Sequence, residues 1–405
     1  MKKHLVIIGL VVPEPASTAA GHRMLQLMNV FEEIGYHITF LTSSNPTEFS
    51  SHINVISINI NDSSFDEQLK ELCPDVVLFD RYISEEQFGW RVAEVCPQAM
   101  RILDTEDLHF LRSARGKAFK EKREVLESDY YNDTFKREIA SILRCDLSLI
   151  ISKFEYDLLI NQFNINTDLL FYIPFLNKNI SKEVASFNER QHFVSIGNFL
   201  HEPNWQTVLQ LKSIWKDIRK ALPKAEMHIY GGYAKEKVYQ LYDEKSGFLI
   251  KGRAESVPEL FNSAKVLLAP IPFGAGLKGK LWESMLLGLP NVTTFVGAEG
   301  MYDDKNDWNG FIIDDLDSFV LSAIELYQNE EKWLESQEKG FVLAEKLFHY
   351  DLFFDSFKNV IASLEINLEN HRQKNYLGQI LHHHSLNSTK YMSRWIEEKN
   401  KKTSN

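Results

Sequence analysis

The sequence predicts an α/β protein of two Rossmann-like domains followed by a C-terminal helical tail. Three observations predict it. Short apolar runs alternate with helical stretches from His4 to Phe175, as in a parallel sheet covered on both faces. A polar linker at about residue 180 interrupts the alternation, and Phe193 to Asn198 restarts it. At 405 residues the chain exceeds what one core serves and suits two domains of ordinary size. We therefore expect an N-terminal domain over 1–178, a C-terminal domain over 179–355 and a helical crossover or tail over 356–405.

The run from His4 to Val12 reads as the first strand. The loop from Pro13 to His22 is poor in bulk. Met24, Leu27, Met28, Phe31 and Ile34 then recur at helical spacing until Gly35 stops the helix. Ala19, Ala20 and Gly21 leave room for a ligand at the helix start, past the carboxyl end of the first strand where open α/β sheets bind; they equally suit a crowded turn. His22 and Arg23 are adjacent candidates. Further strands are expected at His37–Leu41, Ile53–Ile58, Val76–Phe79 and Arg101–Leu103, with a helix around Glu85–Val95. Asp104, Glu106, Asp107 and His109 follow the last of these. Carboxylates and a histidine just past a strand end serve acid–base chemistry or a grip on sugar hydroxyls. The alternative is that Asp104 or Glu106 caps the next helix while His109 is solvated. The cations Arg112, Arg115, Lys117, Lys120, Lys122 and Arg123 form either a solvated helix face or a patch for an anionic acceptor or membrane phosphates. Leu147–Ile151 with the following Ser152 and Glu155 reads as structural, and Leu169–Phe175 is the domain's last strand.

In the second half, Phe193–Asn198 ends on Gly197 and Asn198 and leads through Pro203 and Asn204 into an amphipathic helix. Strands at Glu226–Tyr230 and Phe248–Ile250 each run into glycine. Arg253 beyond the second is a loop residue or a phosphate ligand. The most informative stretch starts with a buried strand, Val266–Ile271, followed by Gly274 and Gly276, which let the backbone turn tightly and approach a ligand. A helix carrying Leu281, Met285 and Leu286 stops at Gly288 and Pro290, and Asn291–Phe295 is a strand. Lys278 and Lys280 stand at the helix start with Glu283 on the same face. A helix N-terminus with two ammonium groups suits a diphosphate, and the carboxylate suits vicinal ribose hydroxyls. Glycine loops also open helices without any ligand, and lysines there are often only solvated. After Trp308 to Ile313, helices fill the chain to about Leu364. The tract His382 to His384 in the polar remainder is not expected to bind metal.

The net charge of −11 argues against a nucleic-acid partner, since there is no basic excess to neutralise phosphates. Cys73, Cys96 and Cys145 are odd in number and widely spaced, which fits reduced thiols in a cytoplasmic protein. The N-terminal apolar run breaks at Pro13 and reads as a strand, not a signal peptide. No stretch is long enough to span a membrane, so membrane contact is expected to be peripheral, at the inner face.

From Phe273 to Gly300 the segment resembles, without a gap, the donor-binding signature of the bacterial group-1 (family 4-like) glycosyltransferases of the GT-B fold. The matching positions include Gly274, Gly276, Lys278, Lys280, Glu283, Met285, Gly288, Pro290 and the run Gly297 to Gly300. The resemblance covers roughly residues 4 to 355 and implies two Rossmann-like domains facing each other across a cleft. It implies a glycosyltransferase of the hexosyltransferase class, retaining and metal-independent, moving a sugar from a nucleotide diphosphate sugar to an acceptor hydroxyl in glycan or cell-surface polysaccharide biosynthesis. It implies no cofactor and no metal. By the same resemblance Gly21, Gly197, Asn198, Arg253, Gly276, Lys278, Lys280 and Glu283 bind the donor, and Asp107 and His109 sit at the reacting sugar. Two departures stand out. No Arg or Lys occurs from Gly197 to Leu211, leaving the phosphates to backbone amides, Lys278, Lys280 and Arg253. Ala275 stands where many members carry the glutamate that holds the donor sugar, and Glu299 is the candidate substitute. A GT-B nucleotide-sugar epimerase and a non-catalytic partner subunit are the alternatives, and glycan, lipid-linked and protein acceptors all stay open.

Overall fold

The computed structural model describes residues 2–13, 19–44, 53–180 and 182–403. Positions 14–18 of the loop expected from Pro13 to His22 lie outside these. The first sheet contains β1 (Lys3–Gly9), β2 (Tyr36–Thr42), β3 (Asn54–Ser57), β4 (Val76–Asp80), β5 (Met100–Asp104), β6 (Leu147–Ile150) and β7 (Leu170–Tyr172). Its order is β3-β2-β1-β4-β5-β6-β7, parallel throughout. The second contains β8 (Gln191–Ile196), β9 (Met227–Tyr230), β10 (Phe248–Gly252), β11 (Ala264–Ala269), β12 (Asn291–Thr293) and β13 (Gly310–Ile312), in the order β10-β9-β8-β11-β12-β13 and again parallel. Each order reverses beside its first strand, between β1 and β4 and between β8 and β11. Crevices for ligands open at such reversals, beyond the carboxyl ends of the strands.

Burial explains why the strands read as unbroken apolar runs. In β1, Leu5 and Ile7 pack on one face with Phe31 and Phe357, while Val6 and Ile8 pack on the other with Phe65 and Phe88. Both faces are covered, so period-two alternation disappears. The strand stops at Gly9, short of the expected Val12. There the register with Thr42 ends and the Phe40 ring fills the space a side chain would need. In the second sheet Phe193, Val266 and Leu268 pack with Trp215 and Trp333, while Val194, Leu267 and Ala269 pack with Trp282 and Trp308.

The chain crosses between domains side by side. Asn177 N–H donates to Phe348 O (2.9 Å) and Tyr350 N–H donates to Asn177 O (2.8 Å), so the outgoing and returning strands are hydrogen-bonded to each other. Beyond that crossing, helix Asp351–Lys374 lays Phe357, Ile361 and Leu364 into the first domain's core, and helix Tyr376–Thr403 follows. The polar remainder expected as a tail is thus helical through Thr403, and its first helix is part of a core. Among the described residues, no helix is long and apolar enough to cross a membrane.

Candidate functional site

The glycine loop leaves β11 at the second sheet's reversal and points at the first domain. Gly276 adopts φ +63°, and a Cβ there would stand 2.7 Å from the Cβ of Asp107. Only glycine meets both demands, a left-handed backbone and a close approach. The loop after β5 is thereby pressed against the loop after β11. Glu155 joins them: its Oε1 accepts the N–H of Gly276 (2.6 Å) and of Leu108 (3.2 Å). Burial, with Asp107 adding to it, pushes the Glu155 carboxyl up to about 7. Arg115 makes a second tie, donating to Gly274 O (2.9 Å) and to both carboxylate oxygens of Glu299 (2.8 Å each).

On the second domain's side, helix Gly279–Leu286 begins at Lys278. Its N-terminus abuts that of helix Ala19–Glu33: a Cβ at Gly279 would lie 2.7 Å from Ala19 Cβ, and the His22 ring meets Trp282 edge-on at 5.2 Å. Two helix N-termini therefore converge, each carrying partial positive charge. Gly21 is buried in the first turn of the helix that supplies one of them. Lys280 Nζ donates to Asn204 Oδ1 (2.9 Å), and Asn204 Nδ2 donates to Asn198 O (2.9 Å). A Cβ at Gly197 would lie 2.6 Å from the Asn204 side chain. Gly197, Asn198, Asn204 and Lys280 are thus one cluster at the reversal between β8 and β11. The Asn198 side chain is used locally, accepting Leu200 N–H (2.8 Å).

Lys278 Nζ is held by the carbonyls of Gly276 (2.6 Å) and Ala275 (3.2 Å). Burial pulls Lys278 and Lys280 down to about 8, and pushes Glu283 up to about 7 against the pull of Lys280. These groups are desolvated in the cleft, which strengthens their attraction for a charge that replaces lost water. Arg253 is exposed beyond β10, three strands from β11 and hence about 14 Å away across the sheet.

On the first domain's side, Asp107 accepts from Arg112 Nη1 (2.5 Å) and lies 3.1 Å from His109 Nε2. Burial would raise its carboxyl, but Arg112, His109 and Arg81 outweigh that and hold it well below the usual carboxylate range. The His109 ring sits edge-on to Tyr82. The helix after Leu108 is capped neither by Asp104 nor by Glu106. Glu138, from a separate helix, accepts the N–H of His109 (3.1 Å) and of Phe110 (3.0 Å). Asp104 instead forms a buried bidentate pair with Arg23, which also donates to Ile173 O (2.7 Å). Arg23 is therefore a core ion pair. Glu106 takes φ +62°, and burial together with Asp104 pushes its carboxyl up to about 8.

Sequence reasoning missed Glu155, Arg115 and Asn204 as site residues, together with His201. Burial lowers the His201 ring below its usual range, and Arg112, Asp107, Arg81 and His109 act on it across the cleft. Within the cationic run Arg112 pairs with Asp107, Arg115 with Glu299, and Arg123 and the exposed Lys117 with Asp129, while Lys120 and Lys122 are exposed. Glu299, the candidate for holding a donor sugar, has both oxygens on Arg115. His192, Glu226 and His228 bring ligating atoms within 4.8 Å of one another, at the amino ends of β8 and β9 and away from the cleft. His192 Nδ1 accepts Glu226 N–H (3.3 Å), which puts its proton on Nε2 and makes this a histidine–carboxylate cluster.

Residues 190–329 match the family model described as glycosyl transferases group 1. A comparison with curated proteins finds no match. Among solved structures, sucrose-phosphate synthase from Thermosynechococcus elongatus aligns over 90% of this chain and 99% of its own, with a TM-score of 0.68 at 14% identity. The pneumococcal O-GlcNAc transferase GtfA aligns over 90% of this chain and 99% of its own, with a TM-score of 0.67 at 12% identity. TarM of S. aureus aligns over 73% of this chain with a TM-score of 0.58 at 14% identity, and this chain spans 57% of TarM's length. The likenesses show a shared fold, the two facing parallel sheets of GT-B proteins. The span that holds the glycine loop, both lysines and Glu283 matches the group 1 glycosyl transferase model, and the whole chain has the GT-B fold.

Proposed function

We propose that the protein transfers a hexose from a nucleoside diphosphate sugar to an acceptor hydroxyl, retaining anomeric configuration and using neither metal nor cofactor. The observation that carries this reading is the meeting of Gly276 with Asp107, which sets Lys278, Lys280 and Glu283 of one domain against the Asp107–His109 loop of the other. The desolvated lysines and the helix N-terminus stabilise a departing diphosphate, and Glu283 receives the ribose hydroxyls. Asp107 is ionised and pinned between Arg112 and His109, so it acts through negative charge beside a sugar that becomes cationic, and His109 orients it. A uridine nucleotide is the first donor to test, because TarM and GtfA are described in complexes with UDP. We place the reaction in the cytoplasm, at the inner face of the membrane, with a glycan, lipid-linked or protein acceptor.

The test is thermal unfolding with UDP, GDP, ADP and their sugars on the wild type and on Glu283→Ala. A ligand at 100 times its dissociation constant adds about 2.7 kcal/mol, well above detection. Stabilisation by one nucleotide that the variant loses supports the donor site and names the base. Absence of any shift in the wild type overturns the reading.

A further inference from the structure

The turn into helix Lys153–Asn161 carries the sequence of a capping box, Ser152-Lys153-Phe154-Glu155. In such a box the serine hydroxyl and the glutamate carboxylate each accept a backbone N–H of the helix's own first turn. Neither side chain is used that way here. Ser152 makes no capping bond, and its Oγ is buried without a partner among the described residues. Glu155 is fully buried, and its Oε1 leaves the helix to accept Gly276 N–H (2.6 Å) and Leu108 N–H (3.2 Å). A local rule broken by both of its members points to a service other than helix stability.

Both side chains meet loops of the second domain. Gly300 has φ +76°, and a Cβ there would lie 2.5 Å from Ser152 Oγ. The loop that holds Gly276 is also held from helix His109–Lys120. The Phe273 ring lies 5.1 Å from that of Phe119, and a Cβ at Gly116 would meet Phe273 at 3.1 Å. Apolar side chains interlock along the same seam: Ile151 and Phe175 of the first domain lie in the second domain's core, and Ala275 of the second lies in the first's. Apolar contact is non-directional and leaves one loop free to slide along the other. The Glu155 oxygen is directional. It ties together one amide beside Asp107 and one amide two residues before Lys278, so it sets where each loop stands along the seam.

We infer that Glu155 is a positioning residue of the cleft, whose Oε1 keeps the Asp107 loop and the Lys278 loop in register by holding the N–H of Leu108 and of Gly276 on one atom. Only its consequence for turnover rests on the transferase reading given above. The role requires reach more than charge. Aspartate is shorter by one C–C bond, about 1.5 Å, and cannot serve both amides from the same helix; glutamine keeps an oxygen at full reach without the charge.

Glu155→Gln, Glu155→Asp and Glu155→Ala test this by hydrogen exchange of the Leu108 and Gly276 amides. Calorimetry and diphosphate release follow, with the nucleotide and nucleotide sugar that the thermal panel of UDP, GDP, ADP and their sugars selects. We expect both amides to exchange about tenfold faster in the Asp and Ala variants, as for the loss of one hydrogen bond, and at the wild-type rate in the Gln variant. Nucleotide affinity should stay within about threefold in all of them, since Lys280 and Glu283 lie beyond the loop, while diphosphate release slows about 100-fold in Asp and Ala and is rescued by Gln. Unchanged exchange or unchanged release in Glu155→Ala overturns the proposal, as does rescue by Asp in place of Gln. A wild type inert to every nucleotide defeats the transferase reading alone, because the exchange measurements need no ligand and still decide the tie. If none of the variants folds, the wild type decides: protection of both amides supports the tie, and a Gly276 amide that exchanges as an unbonded one overturns it.

Discussion

Replacing Gly276 by alanine separates binding from turnover. The new methyl would lie 2.7 Å from Asp107 Cβ, whereas carbon atoms in contact settle about 3.5–4.0 Å apart, so the two loops must part by about 1 Å. The φ of +63° adds a left-handed strain of about 1–2 kcal/mol for any side chain. A misplacement of about 1 Å at a reacting centre costs about 100-fold in rate, equivalent to about 2.7 kcal/mol. Lys280, held by Asn204, and Glu283 lie in the helix beyond the loop and are not pushed by the methyl; only Lys278, held by the Gly276 carbonyl, moves with the loop. Gly276→Ala should therefore keep nucleotide affinity within about threefold by calorimetry while kcat for sugar transfer falls about 100-fold. Turnover at the wild-type rate would refute the argument that this contact sets the reacting geometry. Equal loss of affinity and turnover would confine Gly276 to the donor.

The remaining predictions concern charge. Lys280 titrates at about 8 in the free protein, so nucleotide affinity should be full below that pH and fall roughly tenfold per unit above it; Lys280→Ala should flatten that dependence in calorimetric titrations. Glu283 keeps its proton up to about 7 when folded, against 4.5 for the ordinary group. Its contribution to stability is present below 4.5 and lost as pH rises to 7, by up to about 3 kcal/mol, and denaturant unfolding of Glu283→Gln at pH 5 and pH 8 should show that loss removed. Arg23→Ala leaves Asp104 buried without its partner and should cost about 3–5 kcal/mol in the same measurement.

The parts of the site visible in the sequence are those written within a few residues of one another. Gly276, Lys278, Lys280 and Glu283 span one loop and one helical turn, so their spacing alone places them together. The parallel strands were equally visible, because burial on both faces leaves an unbroken apolar run. What joins the domains was not visible. Glu155 reaches Gly276 across 121 positions, and Arg115 reaches Glu299 across 184. Nothing local distinguishes either from a solvated helix residue, and Arg115 sits in a run of cations that suggests a surface patch. The carboxylates after β5 show the same limit: four acids and bases in six positions announce a site, but only packing reveals that Asp104 turns inward to Arg23 while Asp107 faces the cleft.

The paired crossing at Asn177 and His349 makes the second domain an insertion within the first. Synthesis proceeds from the N-terminus, so the seven-stranded sheet emerges long before Phe357, Ile361 and Leu364, which complete its core. The inserted domain is contiguous and is ready to fold first. Until the last helices leave the ribosome, the earlier sheet holds an open apolar face, and a chain interrupted after residue 350 keeps that face permanently. Loss of the final helices should therefore show as aggregation of the first half, although no residue of the cleft has been removed.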